Sequence, residues 1–111
     1  MNRLYTLRIY DPAYRHLVLE AASWDVQKDA VSAWITAKVL DDYDVNVNVT
    51  ANTNIDISST SLTGRFTTDG TNWSGDNSLS PDISAGAFSK RFKYRDSTAG
   101  TFTITVAGVP G

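Results

Sequence analysis

The sequence predicts an all-β fold, an antiparallel sandwich of two sheets in a single domain. Serine, threonine and asparagine dominate the polar residues, whereas leucine, glutamate, lysine and methionine are scarce, which favours short strands over long helices. Short apolar segments are separated by turn residues at short intervals, as in sandwiches and barrels. With 111 residues, the chain is long enough to bury one core but not two.

Alternation of apolar and polar side chains locates the strands. In residues 33–39 isoleucine, alanine and valine alternate with tryptophan, threonine and lysine, and in residues 101–106 phenylalanine, isoleucine and valine alternate with three threonines. Further strands are predicted at residues 17–21, 45–50, 55–58, 65–68 and 91–95. The predicted core consists of Leu17, Leu19, Ile35, Ala37, Val39, Ile57, Phe66, Ile83, Phe92, Tyr94, Phe102, Ile104 and Val106.

Residues 1–13 precede the predicted sandwich, which spans residues 14–111. Leu4, Tyr5, Leu7 and Ile9 make this segment apolar, so it is a linker, the tail of a preceding module or an extra N-terminal strand, the option we favour. No apolar run approaches the roughly 20 residues of a membrane helix, and the N-terminus is too polar for a signal peptide. If the parent protein is exported, we expect its signal outside this sequence.

Composition argues against several functional classes. Because the chain has no cysteine, it has neither disulfides nor thiolate metal ligands. A net charge of −2 with both signs interspersed favours neither nucleic acid nor a membrane surface as a partner. No phosphate-binding glycine loop or zinc motif occurs, so we expect no cofactor.

Catalytic side chains are few. His16 and Glu20 are each the only residue of their type, and the alternation places His16 on the surface, where a solvated histidine is far more common than a catalytic one. We therefore expect the chain not to be an enzyme. Asp41, Asp42 and Asp44 are either calcium ligands or, more simply, acceptors for the hydrogen bonds of a turn.

The second half of the chain carries a characteristic series of motifs: GRFTTD at residues 64–69, DISAG at 82–86, FKYRD at 92–96 and AGTFTIT at 99–105. This series resembles the closing strands of bacterial immunoglobulin-like (Big-type) domains, which often read G-x-F-S, I-P-A-G, F-x-Y-K-D and A-G-T-x-T-I-T. The resemblance implies an immunoglobulin-like Greek-key arrangement of the two sheets.

The first half fits the same family pattern less closely, with HLVL at residues 16–19 and ITAKVLD at 35–41. Two departures stand out. Asp29 occupies a position that is usually glycine in the family, and DYDV at residues 42–45 replaces the usual A-Y-G-N. The turns at these two positions are therefore expected to be reshaped.

Aromatic residues are the candidate ligand-binding groups: Trp24, Trp34, Trp73 and Tyr43. One tryptophan is expected in the core, as is common in sandwiches. Trp34, however, alternates with Ile35 and points away from the core, and Trp73 lies in the polar loop of residues 69–78. Exposed tryptophans commonly mark a contact with a ligand or a neighbouring domain.

The resemblance implies a non-catalytic spacer, presentation or adhesion module of a larger secreted or surface-attached bacterial protein. Its partners would be neighbouring modules of the same polypeptide, and we expect the chain itself to be a monomer. The alternative is a carbohydrate-binding accessory module of a secreted polysaccharide-active enzyme, in which Trp34 and Trp73 stack on sugar rings.

Overall fold

A computed structural model describes residues 3–7 and 15–108. Within these residues the chain forms eight strands and no helix, which confirms the all-β prediction. The strands are β1 (His16–Ala21), β2 (Ile35–Leu40), β3 (Thr53–Ser59), β4 (Gly64–Thr67), β5 (Ser78–Leu79), β6 (Asp82–Ile83), β7 (Ser89–Asp96) and β8 (Ile104–Gly108).

The first sheet has the strand order β1-β2-β7-β4, and all of its neighbours are antiparallel. Its register places Leu19 opposite Ala37, and Ile35 opposite Phe92. Since opposed residues in a sheet share a face, these apolar side chains all point towards the same core. The alternation predicted for residues 35–39 is therefore the pattern that buries this sheet.

The second sheet is built around β3. The two-residue strands β5 and β6 pair with β3, and β8 pairs with it along residues 55–59. All three pairings are antiparallel. The two sheets together make the sandwich expected from the sequence.

The core lies between the sheets and is closed by aromatic rings. Phe66 meets Phe92 edge-on at 5.6 Å between ring centroids, and it meets Tyr94 at 4.9 Å. Eight of the thirteen predicted core residues are buried: Ile35, Ala37, Val39, Ile57, Phe66, Ile83, Phe92 and Tyr94. Val49 and Ile55 also belong to the core, although the prediction did not include them.

The other five predicted core residues, Leu17, Leu19, Phe102, Ile104 and Val106, are only half-buried. This is a correction to the sequence prediction, and its cause is topological. Four of them lie on β1 and β8, and Phe102 precedes β8. Because β1 is the end strand of its sheet and β8 pairs only with β3 in the described chain, their inward side chains are covered incompletely.

The strand predicted at residues 45–50 is not formed. This segment makes one isolated bridge, between Leu40 and Asn46. Its other backbone hydrogen bonds go to two different parts of the chain, the end of β2 and the residues before β7. The N–H of Val47 donates to the carbonyl of Val39, whereas the N–H of Val49 donates to Ala87. Since the segment crosses from one partner to the other, no continuous pairing develops, although Val49 is buried.

The N-terminal segment is described only at residues 3–7, which form no strand. Leu4, Tyr5 and Leu7 are 98%, 87% and 85% exposed. The rest of the stretch for which a linker or an extra strand was expected lies outside the described residues. The assignment of residues 1–13 therefore stays a prediction.

Truncation on β3 tests the division between inside and outside. Ile57 is fully buried, whereas the next residue, Ser58, is exposed on the opposite face. We expect Ile57→Ala to lower the free energy of unfolding by about 2–5 kcal/mol because it leaves a cavity, and Ser58→Ala to change it by less than about 0.5 kcal/mol. Urea unfolding followed by tryptophan fluorescence measures both. Equal effects would contradict the assigned register.

Candidate functional site: the tryptophan face

Trp34 and Trp73 lie on the outer face of the first sheet. The Arg91 guanidinium lies 4.2 Å from the centroid of the Trp34 ring, and Lys93 Nζ lies 4.7 Å from it. At the other end of the same strand, the Arg95 guanidinium lies 4.2 Å from the Trp73 ring centroid. Each indole therefore makes cation–π contacts. We call the surface formed by these five residues the tryptophan face.

The alternation along β7 places these cations on one row. Phe92 and Tyr94 are buried in the core, so Arg91, Lys93 and Arg95 point outwards. Residues four apart on a strand are separated by about 13 Å, so the row connects the two indoles across the sheet. One strand thus supplies both the aromatic centre of the core and the charged centre of the tryptophan face.

Further positive charge surrounds this row. Arg65 of β4 is directly opposite Arg95, and its guanidinium donates hydrogen bonds to the carbonyls of Leu62 and Gly64. On β2, the Lys38 ammonium forms an ion pair with Glu20 of β1. Like charges directly opposite each other on a sheet are destabilising, and Asp29 and Asp96 line the same groove as the Arg65–Arg95 pair.

A polar loop holds Trp73 against the sheet. The N–H of Ser74 donates to the carbonyl of Phe66 at 2.8 Å, and the N–H of Phe66 donates to Ser74 Oγ at 3.0 Å. The loop therefore runs along the free edge of β4. Closer to the strand, the N–H of Gly70 donates to the buried Thr67 hydroxyl. These contacts explain how a tryptophan with polar sequence neighbours becomes half-buried.

Asp69 organises the same loop. Its carboxylate accepts the backbone N–H groups of Asn72 and Thr71, the side-chain amide of Asn72 and the Thr67 hydroxyl. These hydrogen bonds, chiefly the one from the Asn72 backbone, hold the pKa of Asp69 well below its ordinary value. The loop is thus shaped by its own side chains.

Trp24 is near this surface, but Tyr43 is not. Trp24 is 58% exposed and lines a shallow groove together with Trp34 and Glu20. Tyr43 is 38% exposed in the turn that follows β2, whereas Trp34 precedes that strand. A six-residue strand separates them, which corresponds to about 20 Å. The structure therefore places three of the four predicted ligand-binding aromatics on or beside the tryptophan face. None of the three tryptophans is buried, so the expectation of one tryptophan in the core is wrong.

The β7 cations were not among the predicted site residues. Their signal was present in the sequence as the alternation R-F-K-Y-R at residues 91–95, in which every second residue is a cation. The pattern alone did not show that these cations face two tryptophans from other parts of the chain. Residues that are interspersed in sequence become a concentrated basic row because a strand points alternate side chains to one face.

A second polar cluster ties the two sheets together at the end of β7. Tyr94 Oη lies 2.9 Å from Ser59 Oγ and donates to Asp96 Oδ2 at 2.6 Å. Asp96 Oδ1 also accepts the hydroxyl of Thr63 and the N–H of Thr98. A Cβ at Gly64 would overlap the Tyr94 ring, so glycine is needed for this contact. The cluster connects β3, β4 and β7.

Hydrogen bonding and burial shift both ionisable groups of this cluster. Burial raises the pKa of Tyr94, and the hydrogen bond to Asp96 raises it further. Burial by itself would raise the pKa of Asp96, but hydrogen bonds from Thr63, Tyr94, Ser61 and the Thr98 backbone outweigh it and lower the pKa to about 2. The carboxylate is therefore an anchored acceptor.

The acidic turn after β2 satisfies its own backbone. Asp41 is buried, and its Oδ1 accepts the N–H groups of Tyr43 at 2.8 Å and Val45 at 3.0 Å. Asp44 Oδ1 lies 3.5 Å from His16 Nε2. Among the described residues, no group of three or more histidine or acidic side chains could hold a metal ion. The geometry favours the turn over the calcium site.

Comparison with protein-family models, curated proteins and solved structures found no match to this chain. Within the described residues, no helix is long and apolar enough to cross a membrane.

The Asp96 cluster predicts a defined acid dependence of stability. Because the folded-state pKa of about 2 lies below the ordinary value of 3.8, the stabilisation is complete above pH 3.8 and is lost as the pH falls towards 2. After screening by solvent, we expect this contribution to be of the order of 1 kcal/mol or less. Urea unfolding at several pH values should show it, since Asp96→Asn should reduce the dependence on pH in this window.

Asp42→Asn provides the control because Asp42 is exposed in the turn after β2. The pKa of Asp69 is also lowered, so Asp69 adds to the acid dependence of stability. Because Asp69 is present in wild type and in both variants, its contribution cancels when their stabilities are compared. If the free energy of unfolding depends on pH in Asp96→Asn as it does in wild type, the role assigned to the cluster is wrong.

Proposed function

We propose that this chain is a non-catalytic, immunoglobulin-like module of a larger extracellular bacterial protein, in which it acts as a spacer, presentation or adhesion domain. The observation that carries the proposal is the strand order. A constant-type immunoglobulin domain has strands A, B, E and D in one sheet and C, F and G in the other. If β1, β2, β3, β4, β7 and β8 correspond to strands A to F, the order β1-β2-β7-β4 matches A-B-E-D and the pairing of β3 with β8 matches C-F. The short strands β5 and β6 are additions beside β3, and no described strand takes the position of G.

Backbone conformation supports the same proposal at both departures from the family pattern. Asp29 and Asp44 stand where the pattern has glycine, and their φ angles are +66° and +60°. Glycine adopts positive φ at the lowest cost, and aspartate is among the few other residues that tolerate it. The backbone at Asp29 and Asp44 therefore keeps the conformation that glycine would favour, so the reshaping expected from the sequence does not occur at these two residues.

Pairing explains why two of the family motifs occur together. In the register of β4 and β7, Gly64 is opposite Asp96 and Phe66 is opposite Tyr94. The Tyr94 ring covers Gly64 and packs on Phe66, and its hydroxyl donates to Asp96. A G-x-F strand and an F-x-Y-x-D strand are thus complementary halves of one packing unit.

The neighbouring coding sequence tests this function. If the chain is one module of a larger surface protein, its reading frame should encode further domains with the G-x-F, F-x-Y-x-D and A-G-T-x-T-I-T motifs. Antibodies against the module should label intact cells. A reading frame without such domains, combined with labelling only after lysis, would contradict the proposal. Substrate turnover that is lost in His16→Ala or Glu20→Ala would contradict the non-catalytic part.

The tryptophan face favours carbohydrate binding as a second candidate function. Both indoles lie on one face, with Arg91 and Lys93 over the Trp34 ring and Arg95 over the Trp73 ring. A sugar would stack on these rings by displacing the cations, which are then free to bind its acidic groups. Guanidinium groups recognise carboxylates and sulfates with paired hydrogen bonds. For this candidate we infer an acidic polysaccharide, since the row Arg91, Lys93 and Arg95 would attract an anionic chain and repay the repulsion among its cations.

Binding of polygalacturonate compared with that of neutral dextran tests the second candidate. By analogy with aromatic stacking on flat ligands, Trp34→Ala and Trp73→Ala should each lose about 1–3 kcal/mol of binding to the acidic polymer, measured by calorimetry. Arg91→Gln should weaken binding in proportion to the lost charge and reduce its salt dependence.

Tyr43→Ala is the matched control because Tyr43 is exposed but lies away from the tryptophan face. The candidate is wrong if the two tryptophan variants bind like wild type, and the acidic preference is wrong if dextran binds as tightly as polygalacturonate.

A further inference from the structure

The outer edge of β8 lacks a strand partner. β8 pairs with β3 on one side, and within residues 15–108 no strand pairs with the other side. An unpaired edge exposes a row of N–H and C=O groups that can pair with another strand. In the immunoglobulin order described above, this is the position of strand G.

The pairing with β3 identifies which groups of β8 face outwards. The N–H of Thr60 donates to Thr103, and the N–H of Ser59 donates away from β8 to Asn77. Because backbone groups alternate along an antiparallel pair, Thr105 and Ala107 bond to β3. The N–H and C=O groups of Ile104, Val106 and Gly108 therefore face the open side.

The side chains beside this edge are also incompletely covered. We call the space between β1 and β8 the seam; it is lined by the half-buried residues Leu17, Leu19, Phe102, Ile104 and Val106. At one end it opens into a groove of about 610 Å³, whose lining includes the exposed Trp24 and Val26. The seam therefore offers apolar side chains next to unpaired backbone, which is the surface that an added strand covers.

The chain contains a segment suited to this surface. Tyr5, Leu7 and Ile9 alternate with polar Thr6 and Arg8, which is the period of a strand with one apolar face. In the structure Tyr5 and Leu7 are 87% and 85% exposed, so they do not pack on their own sandwich. Large apolar side chains exposed together commonly mark an interaction site.

We propose that residues 3–10 of a second copy of this chain add to β8 as an antiparallel strand and place Tyr5, Leu7 and Ile9 in the seam. Their backbone would pair with Ile104, Val106 and Gly108, and their apolar face would cover Ile104 and Val106. Reciprocal exchange closes a twofold dimer, whereas one-way donation extends into longer assemblies. Under this proposal the chain forms a dimer or a longer assembly, in contrast to the monomer expected from the sequence.

The position of β1 favours a second copy over the chain's own segment. A Cβ at Gly108 would lie 3.4 Å from Leu17 Cδ1, so β1 begins beside the end of β8. An antiparallel partner of β8 begins at that end and runs towards Ile104. In that orientation the chain's own segment would end beside Ile104, about 13 Å along β8 from the start of β1, whereas a segment from another copy needs no connection to His16.

The mass of the full chain in solution, measured by sedimentation equilibrium over a roughly hundredfold range of concentration, tests the proposal. We expect the mass to exceed that of one chain and to rise with concentration. Leu7→Asp should return it to that of a monomer, since a carboxylate would be buried in the seam. Because Leu7 is 85% exposed in the single chain, this substitution should leave the sandwich folded, as circular dichroism will show.

Thr6→Asp is the matched control because it adds the same charge on the opposite face of the added strand. It should keep the assembly, and a synthetic peptide of residues 3–10 should dissolve it. A monomer mass at every concentration would overturn the proposal, as would equal losses in both variants. A monomer that Leu7→Asp destabilises would show that the chain's own segment occupies the seam. The inference depends on the β8 edge, so its failure would leave the proposed module function intact.

Discussion

The alternation of side chains along β7 is the constraint on which the rest of the structure depends. Phe92 and Tyr94 point inwards and complete the core with Phe66, while Arg91, Lys93 and Arg95 point outwards. Because β7 lies between β2 and β4, it cannot shift by one residue without burying three cations and exposing two aromatic rings. The cost of burying unpaired charges therefore specifies the register of the sheet.

The contact between Tyr94 and Gly64 extends this constraint to the second sheet. The phenol ring occupies the space that a side chain at position 64 would fill, and its hydroxyl reaches Ser59 on β3. Burying a hydroxyl costs free energy unless it is hydrogen-bonded. The contact between Tyr94 and Ser59 therefore stabilises the separation of the two sheets at which this hydrogen bond forms. Asp96 completes the arrangement by accepting the hydrogen bond from the Tyr94 hydroxyl. A polar group within an aromatic core thus links three strands.

The two sides of the sandwich differ in how well they are closed. The β4 edge is covered by the loop that carries Trp73, through the hydrogen bonds between Phe66 and Ser74. At the seam no comparable loop pairs with β8 in the described chain, and the side chains beside it stay half-buried. The covered edge carries the tryptophan face, and the open edge is where we propose association with another strand. Both proposed interaction surfaces follow from how each sheet ends.

The sequence by itself determined the all-β class, the inward side chains of β2 and the outward direction of Trp34, because strand periodicity is a local property of the chain. It did not predict that Trp73 joins Trp34 on one face or that Ile104 is only half-covered. Each of these depends on which distant segments pair and where a sheet ends. Only the tertiary structure decided them, since alternation sets the direction of a side chain but not the residues that meet it.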